Sequence, residues 1–588
     1  MQRRHLIPFL LLILLALPTC AEDVPDQGGE LETDGDGFYI DVVDVNLINV
    51  EVFVTDKKGN PIKGLKKDDF VVLVDKSPMP VSNFYAVEDG TAMEGSDIRM
   101  LPQLEEEPVP GLPTAGPEVP EDQKLHLIIY VDNLNLHPFT RNKAFRFIRT
   151  FMREHLVPGQ DEVMLVTYER SMNVRHPFTS DPELVASAMY EIETHSGMAV
   201  HFDSDRRDIL EMIYDEDGTR TGSTGTNLRG RAITYAESIY NDMSFTLRAL
   251  DQMVESLAGL PGRKAILHVS DGMSMRPGED IFYALEERYR TQPNNNNSTQ
   301  SQGVLMEIHR FDMSRDFARL TSKANANRVT FYTLEAAGLR TYSYMEAQNA
   351  TAGGGAFIDQ VHFSNLQNSL MFMANETGGQ VIMNTNNFGP MLDRVANDFR
   401  TYYSLGITPG SAKSGRYHRI KVEMKDKALN KKYRVRHREG YRDKPLETRM
   451  ADSTLAALHF GYQKNILDVQ IEVGRGTPED KGRRFIVPIS VNIPIGKLSF
   501  LKAEDYQRGK IRLFIAARDD EGGLSPVQDV PIPIDIPVSD YERAKEQYYR
   551  YEMNLQMRQG RQVLAVGVHD EIAAVSGFVT RGISIGGS

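Results

Sequence analysis

Two short apolar runs that each end in an aspartate constrain this chain more than any other feature. They are Leu127-Ile-Ile-Tyr-Val-Asp132 and Ala265-Ile-Leu-His-Val-Ser-Asp271. Unbroken apolar runs, without polar alternation, mark strands buried on both faces of a parallel sheet. A carboxylate at the end of such a strand sits on the edge where doubly wound α/β sheets take their ligands. The sharp reading is one divalent cation shared by Asp132 and Asp271. The plain reading is that Asp132 caps the strand end and Asp271-Gly272 is a turn.

The surrounding pattern supports the strands. From Lys124 onward strands and helices alternate. Strand 125–131 precedes a helix whose apolar residues Ala144, Phe147, Ile148, Phe151 and Met152 keep a helical period. Strand Glu162–Thr167, a segment near Val174 and a helix opening at Asp181-Pro182 follow. A long helix from about Arg231 to Leu257 leads into strand Lys264–Val269, and a helix from about Val304 leads into strand Arg328–Leu334. Helix Leu366–Glu376, a strand near Val381 and helix Gly389–Phe399 complete the series. The alternation predicts a doubly wound, mainly parallel, Rossmann-like α/β sheet within residues 124–445. Residues 195–230 and 338–363 are polar and glycine-rich and read as loops.

A chain of 588 residues exceeds one hydrophobic core, and its flanks read differently from its centre. Residues 38–90 form a β unit, and residues 91–123 are a Pro/Glu-rich linker. Strands Tyr402–Ile407, Tyr417–Met424 and Tyr433–His437 are expected to pack with the strands between 45 and 84. Residues 450–588 read as an all-β sandwich, with a short helix over Tyr541–Tyr551.

At the N-terminus, Arg3 and Arg4 precede the apolar segment Leu6–Leu17, the pattern of an export signal over residues 1–20. Cys20, the only cysteine, follows it directly. Leu17-Pro18-Thr19-Cys20 reads as a bacterial lipobox with Cys20 lipidated, or as part of an ordinary cleavage site near Ala21. An exported protein of the periplasm or outer envelope is expected, with Cys20 as its one route to a membrane. A net charge of −14 argues against nucleic acid as a partner.

The order of segments resembles the von Willebrand factor A (VWA) domain, and more closely the VWA-related group abundant in acidobacterial secreted proteins. The resemblance rests on Val52-Phe-Val-Thr-Asp-Lys-Lys-Gly-Asn-Pro61, Gly64-Leu-Lys-Lys-Asp-Asp-Phe70, Tyr130-Val-Asp-Asn-Leu-Asn-Leu136, Val269-Ser-Asp-Gly272, Asp398-Phe-Arg-Thr-Tyr-Tyr-Ser-Leu-Gly-Ile-Thr-Pro409 and Val435-Arg-His-Arg-Glu-Gly-Tyr441. It covers residues 40–445 and implies a binding module of the cell envelope. In the full VWA pattern, Asp-x-Ser-x-Ser, a loop threonine and a later aspartate hold Mg²⁺ or Mn²⁺. Asp132, Thr226 and Asp271 match the first aspartate, the threonine and the last aspartate. Leu134 and Leu136 stand at the serine positions, so two hard oxygen ligands are lost. Asn133 and Asn135 are no simple replacement, because in an extended segment they point away from Asp132.

The sequence therefore predicts a non-enzymatic, exported protein that binds a protein ligand through a VWA-like domain with a degenerate metal site. Asp132, Asn133, Asn135, Thr226 and Asp271 form its expected partner-binding edge, and no cofactor is required. A structural subunit of an envelope assembly is the alternative, and a hydrolase using loops 195–230 and 338–363 a more remote one. No His-Glu-x-x-His, Gly-x-Ser-x-Gly or Walker motif supports the last.

Overall fold

The structure is a computed structural model that describes residues 48–93, 124–194, 199–214, 225–291, 297–340, 355–409, 415–479 and 484–586. The export signal, Cys20 and most of the 91–123 linker lie outside the described residues.

The first strands alternate as a half-buried sheet requires. In β1 (Ile48–Thr55), Val50 and Val52 are fully buried. A turn follows in which Asp56 Oδ1 accepts from the backbone of Lys58 (2.7 Å) and Asn60 (2.9 Å). The chain continues through β2 (Phe70–Val74), β3 (Ser77–Met79), β4 (Val81–Glu88) and β5 (Thr91–Ala92).

The α/β region opens with β6 (Leu125–Asp132), buried along its whole length. It continues through α1 (Pro138–His155), β7 (Asp161–Tyr168), β8 (Met172–Thr179), α2 (Pro182–Glu193), α3 (Ala199–Tyr214) and α4 (Gly225–Ser256). Then come β9 (Arg263–Ser270), α5 (Glu279–Thr291), α6 (Asn297–Arg310), α7 (Ser314–Ala326), β10 (Val329–Glu335), α8 (Gly355–Glu376), β11 (Val381–Ile382) and α9 (Gly389–Arg400). The sheet order is β11-β10-β9-β6-β7-β8, parallel throughout except for the β7–β8 hairpin. Alternate residues of β6 serve opposite faces. Leu127, Ile129 and Val131 pack with α1, α2 and α9 through Phe145, Ile148, Met189 and Leu392. Ile128 and Tyr130 pack with α4, α7 and α8 through Leu250, Phe317 and Leu370.

Three sequence expectations change here. Residues 195–230 are not one loop: they contain α3 and the start of α4. Among the described side chains of α3, Ile209 and Ile213 are buried, too thin a stripe to show as periodicity. α8 begins at Gly355 rather than Leu366 and α6 at Asn297 rather than Val304, while α5 was not anticipated.

The chain then returns to the first strands. β12 (Tyr402–Ile407) inserts between β1 and β4, antiparallel to both. β13 (Tyr417–Met424) pairs with β2. After α10 (Lys427–Lys432), β14 (Arg434–His437) pairs with β1, and β15 (Gly440–Arg442) pairs with β13. Phe70, Phe84 and Tyr403 meet in the shared core, so strands before and after the α/β region complete one β unit. Arg436 of β14 anchors this unit to α9: its NH1 and NH2 reach Asp398 Oδ2 (2.9 Å) and Oδ1 (2.6 Å).

The C-terminal region is not all β. It opens with α11 (Leu446–Phe460), which packs Ala457 and Leu458 against Phe514, Ala516 and Ala565. Gly567 lies under this helix, where a Cβ would stand 2.6 Å from Thr454 Oγ1. Next come β16 (Gln470–Val473), β17 (Thr477–Glu479), β18 (Arg484–Pro494), β19 (Leu501–Ala503), β20 (Tyr506–Asp519), β21 (Gln528–Pro537), α12 (Tyr541–Ala544), β22 (Tyr548–Arg558), β23 (Gly560–Asp570) and β24 (Val575–Ile585). Two antiparallel sheets, β16-β18-β17 with β22, and β19-β20-β23-β24 with β21, share one core built on Ile489, Val491, Leu513, Leu564 and Val566. The helix expected over Tyr541–Tyr551 is a single turn, because Tyr548 onward pairs with β18.

The Arg436–Asp398 contact makes a direct test of the joint between the β unit and the α/β region. Gln380 Nε2 also donates to Asp398 Oδ2 at 2.7 Å. Asp398→Ala strands the half-buried guanidinium and is expected to cost about 3 kcal/mol. The measurement is the denaturant midpoint, which should fall with an unchanged slope.

Candidate functional site

The order of the parallel sheet reverses between β6 and β9. From β6 the chain proceeds to β7 on one side, and from β9 to β10 on the other. Loops leaving the two strands therefore diverge and open a crevice at their carboxyl ends. Asp132 closes β6, and Asp271 follows β9 directly. Both predicted carboxylates thus flank the crevice.

The chain turns at once after Asp132, and Asn135 N donates to Asp132 O at 3.1 Å. This turn brings Asn135 back over Asp132 instead of pointing it away, a correction to the extended geometry expected from sequence. Asn135 Nδ2 and Ser270 Oγ donate to Asp132 Oδ2 at 2.8 and 3.1 Å. Asp132 is fully buried, and burial raises its pKa to about 6 against the pull of those two donors. Asn133 is equally buried: its Nδ2 reaches Glu169 Oε1 at 2.6 Å, and Arg141 NH1 donates to its Oδ1 at 3.4 Å. Asp132 and Asn133 therefore brace the edge from inside and do not present themselves to a partner. Leu134 and Leu136 enter the two cores on opposite faces of the sheet, so apolar packing claims both serine positions.

Asp271 is held by α1. Its Oδ2 accepts from His137 N (3.0 Å), His137 Nδ1 (2.8 Å) and Thr140 Oγ1 (2.8 Å). His137 Nε2 reaches Asp203 Oδ2 of α3 at 2.8 Å. Asp203 foremost, and then Asp271, raise the imidazole pKa to about 10, so His137 is a cation bridging two carboxylates. Asp271 Oδ1 is buried without a hydrogen-bond partner. Gly272 has φ +122°, and a Cβ there would stand 2.7 Å from Leu366 Cβ, so glycine permits α8 to close over the edge.

The helices α3 and α8 roof the crevice. Arg206 of α3 donates from Nε to Asp280 Oδ2 (2.6 Å) and from NH2 to Asp359 Oδ1 of α8 (3.1 Å). His362 Nδ1 lies 3.5 Å from the same Asp280 oxygen. Burial opposes ionisation of Asp280, but Arg206 and His362 outweigh it and hold its pKa well below the usual range. Arg340 bonds the backbone oxygen of Asp271 and donates from Nε to Glu335 Oε1 at 2.9 Å. A cavity of about 410 Å³ remains, with Asn135, His137, Asp203, Arg206 and Asp271 in its wall.

These donors do not fit a divalent cation. The oxygens of Asp132 and Asp271 Oδ2 are taken up by protein donors, and a charged imidazole stands between Asp271 and Asp203. Thr226 falls in the first turn of α4, with its side chain outside the described residues. Among the described residues, one group of three metal-type ligands clusters elsewhere, the partly exposed Glu154, His155 and Asp393, where His155 Nε2 meets Asp393 Oδ1 at 3.0 Å.

His137, Asp203, Arg206, Asp280, Asp359 and His362 were not picked out from sequence. Asp203/Arg206 and Asp359/His362 are each three apart, the spacing that places a pair on one helix face. That signal was present in segments read as loops.

The bridge at His137 gives a pH test. Its folded pKa of about 10 lies above the unfolded value near 6.5, so its stabilisation is complete below about pH 6.5 and disappears as pH rises through about 10. His137→Ala should melt below the wild type at about pH 6, with the gap narrowing toward about pH 10. A gap that ignores pH would show that the charge on the imidazole does not hold the two carboxylates.

No family model matches the sequence, and no curated protein does. Among solved structures, the chain is similar in part to the conserved hypothetical protein BatB from Bacteroides thetaiotaomicron, with 12% identity, 47% of this chain and 96% of that one covered, and a TM-score of 0.21. An aerotolerance-related membrane protein from Bacteroides fragilis matches with 12% identity, 47% and 98% coverage and a TM-score of 0.22. Proximal thread matrix protein 1 from the mussel byssus, solved with zinc in its MIDAS motif, matches with 8% identity, 48% coverage of each chain and a TM-score of 0.22. The chain spans about half the length of the mussel protein. These scores leave the functional reading to the chemistry of the crevice itself.

Proposed function

We propose that this chain is an exported cell-envelope protein that binds another protein through a VWA-like α/β domain, without a metal ion in the contact. The observation that supports it most is the roofed crevice at the β6–β9 switch point, with the buried Asp271 Oδ1 left as an open acceptor in its wall. A basic side chain of the partner is the complementary group, since it supplies the donor that Asp271 Oδ1 lacks. The partner-binding edge then consists of Asn135, His137 and Asp271, with α3 and α8 beside them.

Binding is favoured over catalysis by the state of the ionisable groups. With a pKa of about 10, His137 is protonated near neutrality and is a poor general base. Arg206 ties up Asp280 and Asp359. Export rests on the N-terminal segment read from sequence. No helix among the described residues is long and apolar enough to cross a membrane.

The test is capture of envelope proteins by the full chain, with Mg²⁺ or with a chelator, comparing the wild type with Asn135→Arg, which fills the crevice with a cation. A partner retained by the wild type in both conditions and lost with the variant is the expected result. Retention that requires Mg²⁺, or that survives the variant, would overturn the reading.

A further inference from the structure

The opposite end of the parallel sheet carries a second cavity of a different character. It measures about 260 Å³ and lies at the amino-terminal ends of β9 and β10, where β1, β15 and α11 converge. Six basic side chains line it: Lys264, Arg328, Arg438, Arg442, Lys444 and Arg449. Asp452 is the one carboxylate in the lining among the described residues, and Lys444 Nζ holds it at 2.6 Å. Glu51 lies nearby and is held by Arg328 NH2 at 2.6 Å. Six basic side chains beside two paired carboxylates do not follow from the composition of a chain with a net charge of −14.

Part of this positive charge has a structural task. The carbonyls at helix C-termini attract cations. Lys264 Nζ donates to Leu260 O beyond α4 at 2.7 Å, and Arg438 NH1 donates to Asn325 O near the end of α7 at 2.9 Å. Arg438 NH2 reaches Asn49 O of β1 at 2.6 Å. These bonds leave donors over. Arg438 is 5% exposed, yet its buried Nε has no partner. Lys264 is 4% exposed, and its Nζ makes one hydrogen bond, to Leu260 O, which leaves it further bonding capacity. A buried guanidinium with an unmet donor is costly unless something else meets it.

We propose that this cavity is a binding site for a small multivalent oxyanion, a phosphate-type or polycarboxylate group, held by Lys264 and Arg438 at its base and by Arg442 and Arg449 at its mouth. The volume has room for several waters, and so for an oxyanion of this size. The local electrostatics agree. Burial first, and then Arg328, hold the pKa of Lys264 well below its ordinary value, and Arg328 and Arg438 overcome burial to pull Glu51 down to about 2. The lowering of Glu51 reports a positive field that an anion would relieve. The site draws on the β unit, the α/β region and α11 together, so a bound anion bridges all three. It is separate from the crevice and does not depend on what the crevice binds.

The test is titration of the full chain with pyrophosphate, citrate and sulfate, each at matched ionic strength against sodium chloride. Calorimetry should show saturable single-site binding with a Kd below about 1 mM for at least one of them. The same ligand should raise the unfolding temperature beyond the chloride control, because binding to the folded state alone stabilises it. Tighter pyrophosphate assigns the phosphate class, and tighter citrate the polycarboxylate class. The double variant Arg442→Ala/Arg449→Ala leaves the buried base intact and should weaken binding about tenfold or more. Lys264→Met removes the deepest amine as a second check, with its fold verified by circular dichroism. Absence of saturable binding with all three anions, or affinity unchanged in the double variant, would overturn the proposal.

Discussion

The burial of both faces of the parallel sheet governs the rest of this molecule. A strand such as β6, with no exposed residue from Leu125 to Asp132, must be covered by helices above and below. Parallel neighbours then require crossovers, and the two directions of crossover part between β6 and β9. The crevice is the geometric consequence of that parting. Its chemistry comes from residues that the crossovers deliver to one edge: His137 from the start of α1, Arg206 from α3, Asp280 from α5 and His362 from α8.

Ionic pairs fill the places that apolar packing leaves. Arg436–Asp398 joins the β unit to α9, and Arg328–Glu51 joins β1 to the sheet. Such pairs add little net stability when partly buried, because desolvation offsets attraction. Their value lies in fixing which surfaces meet. At the crevice the same logic gives a polar network in which the protonated His137 bridges Asp271 and Asp203, while Leu134 and Leu136 pack into the two cores.

Much of the fold was legible because its signals are local. Apolar runs without alternation mark β6 and β9, and the helical period of Ala144, Ile148, Phe151 and Met152 marks α1. The strands on either side of the α/β region were expected to pack together, and β12 does lie between β1 and β4. What escaped was carried by weak stripes. α3 shows a thin buried stripe, Ile209 and Ile213 among its described side chains, and α11 lies in a stretch dominated by strand patterns. The site was read in part. Asp132 and Asp271 reach the crevice edge, but a turn reverses Asn135 and burial removes Asn133 from any outward role.

By itself the sequence determined that two carboxylates end buried strands, because the length and apolarity of a run fix a strand and its last polar residue. It determined equally that Leu134 and Leu136, and no oxygen-bearing side chains, alternate with the asparagines after Asp132. Only the tertiary structure decided what those carboxylates do. Asp203 is 66 residues and Asp271 134 residues from His137, so no local pattern announces that one imidazole lies between two acids. Likewise six basic side chains scattered from Lys264 to Arg449 become one basic cavity only when β1, β15, α7 and α11 close around the foot of the sheet. Local propensity is written in neighbouring residues, whereas charge acts through space and depends on where the fold brings distant residues together.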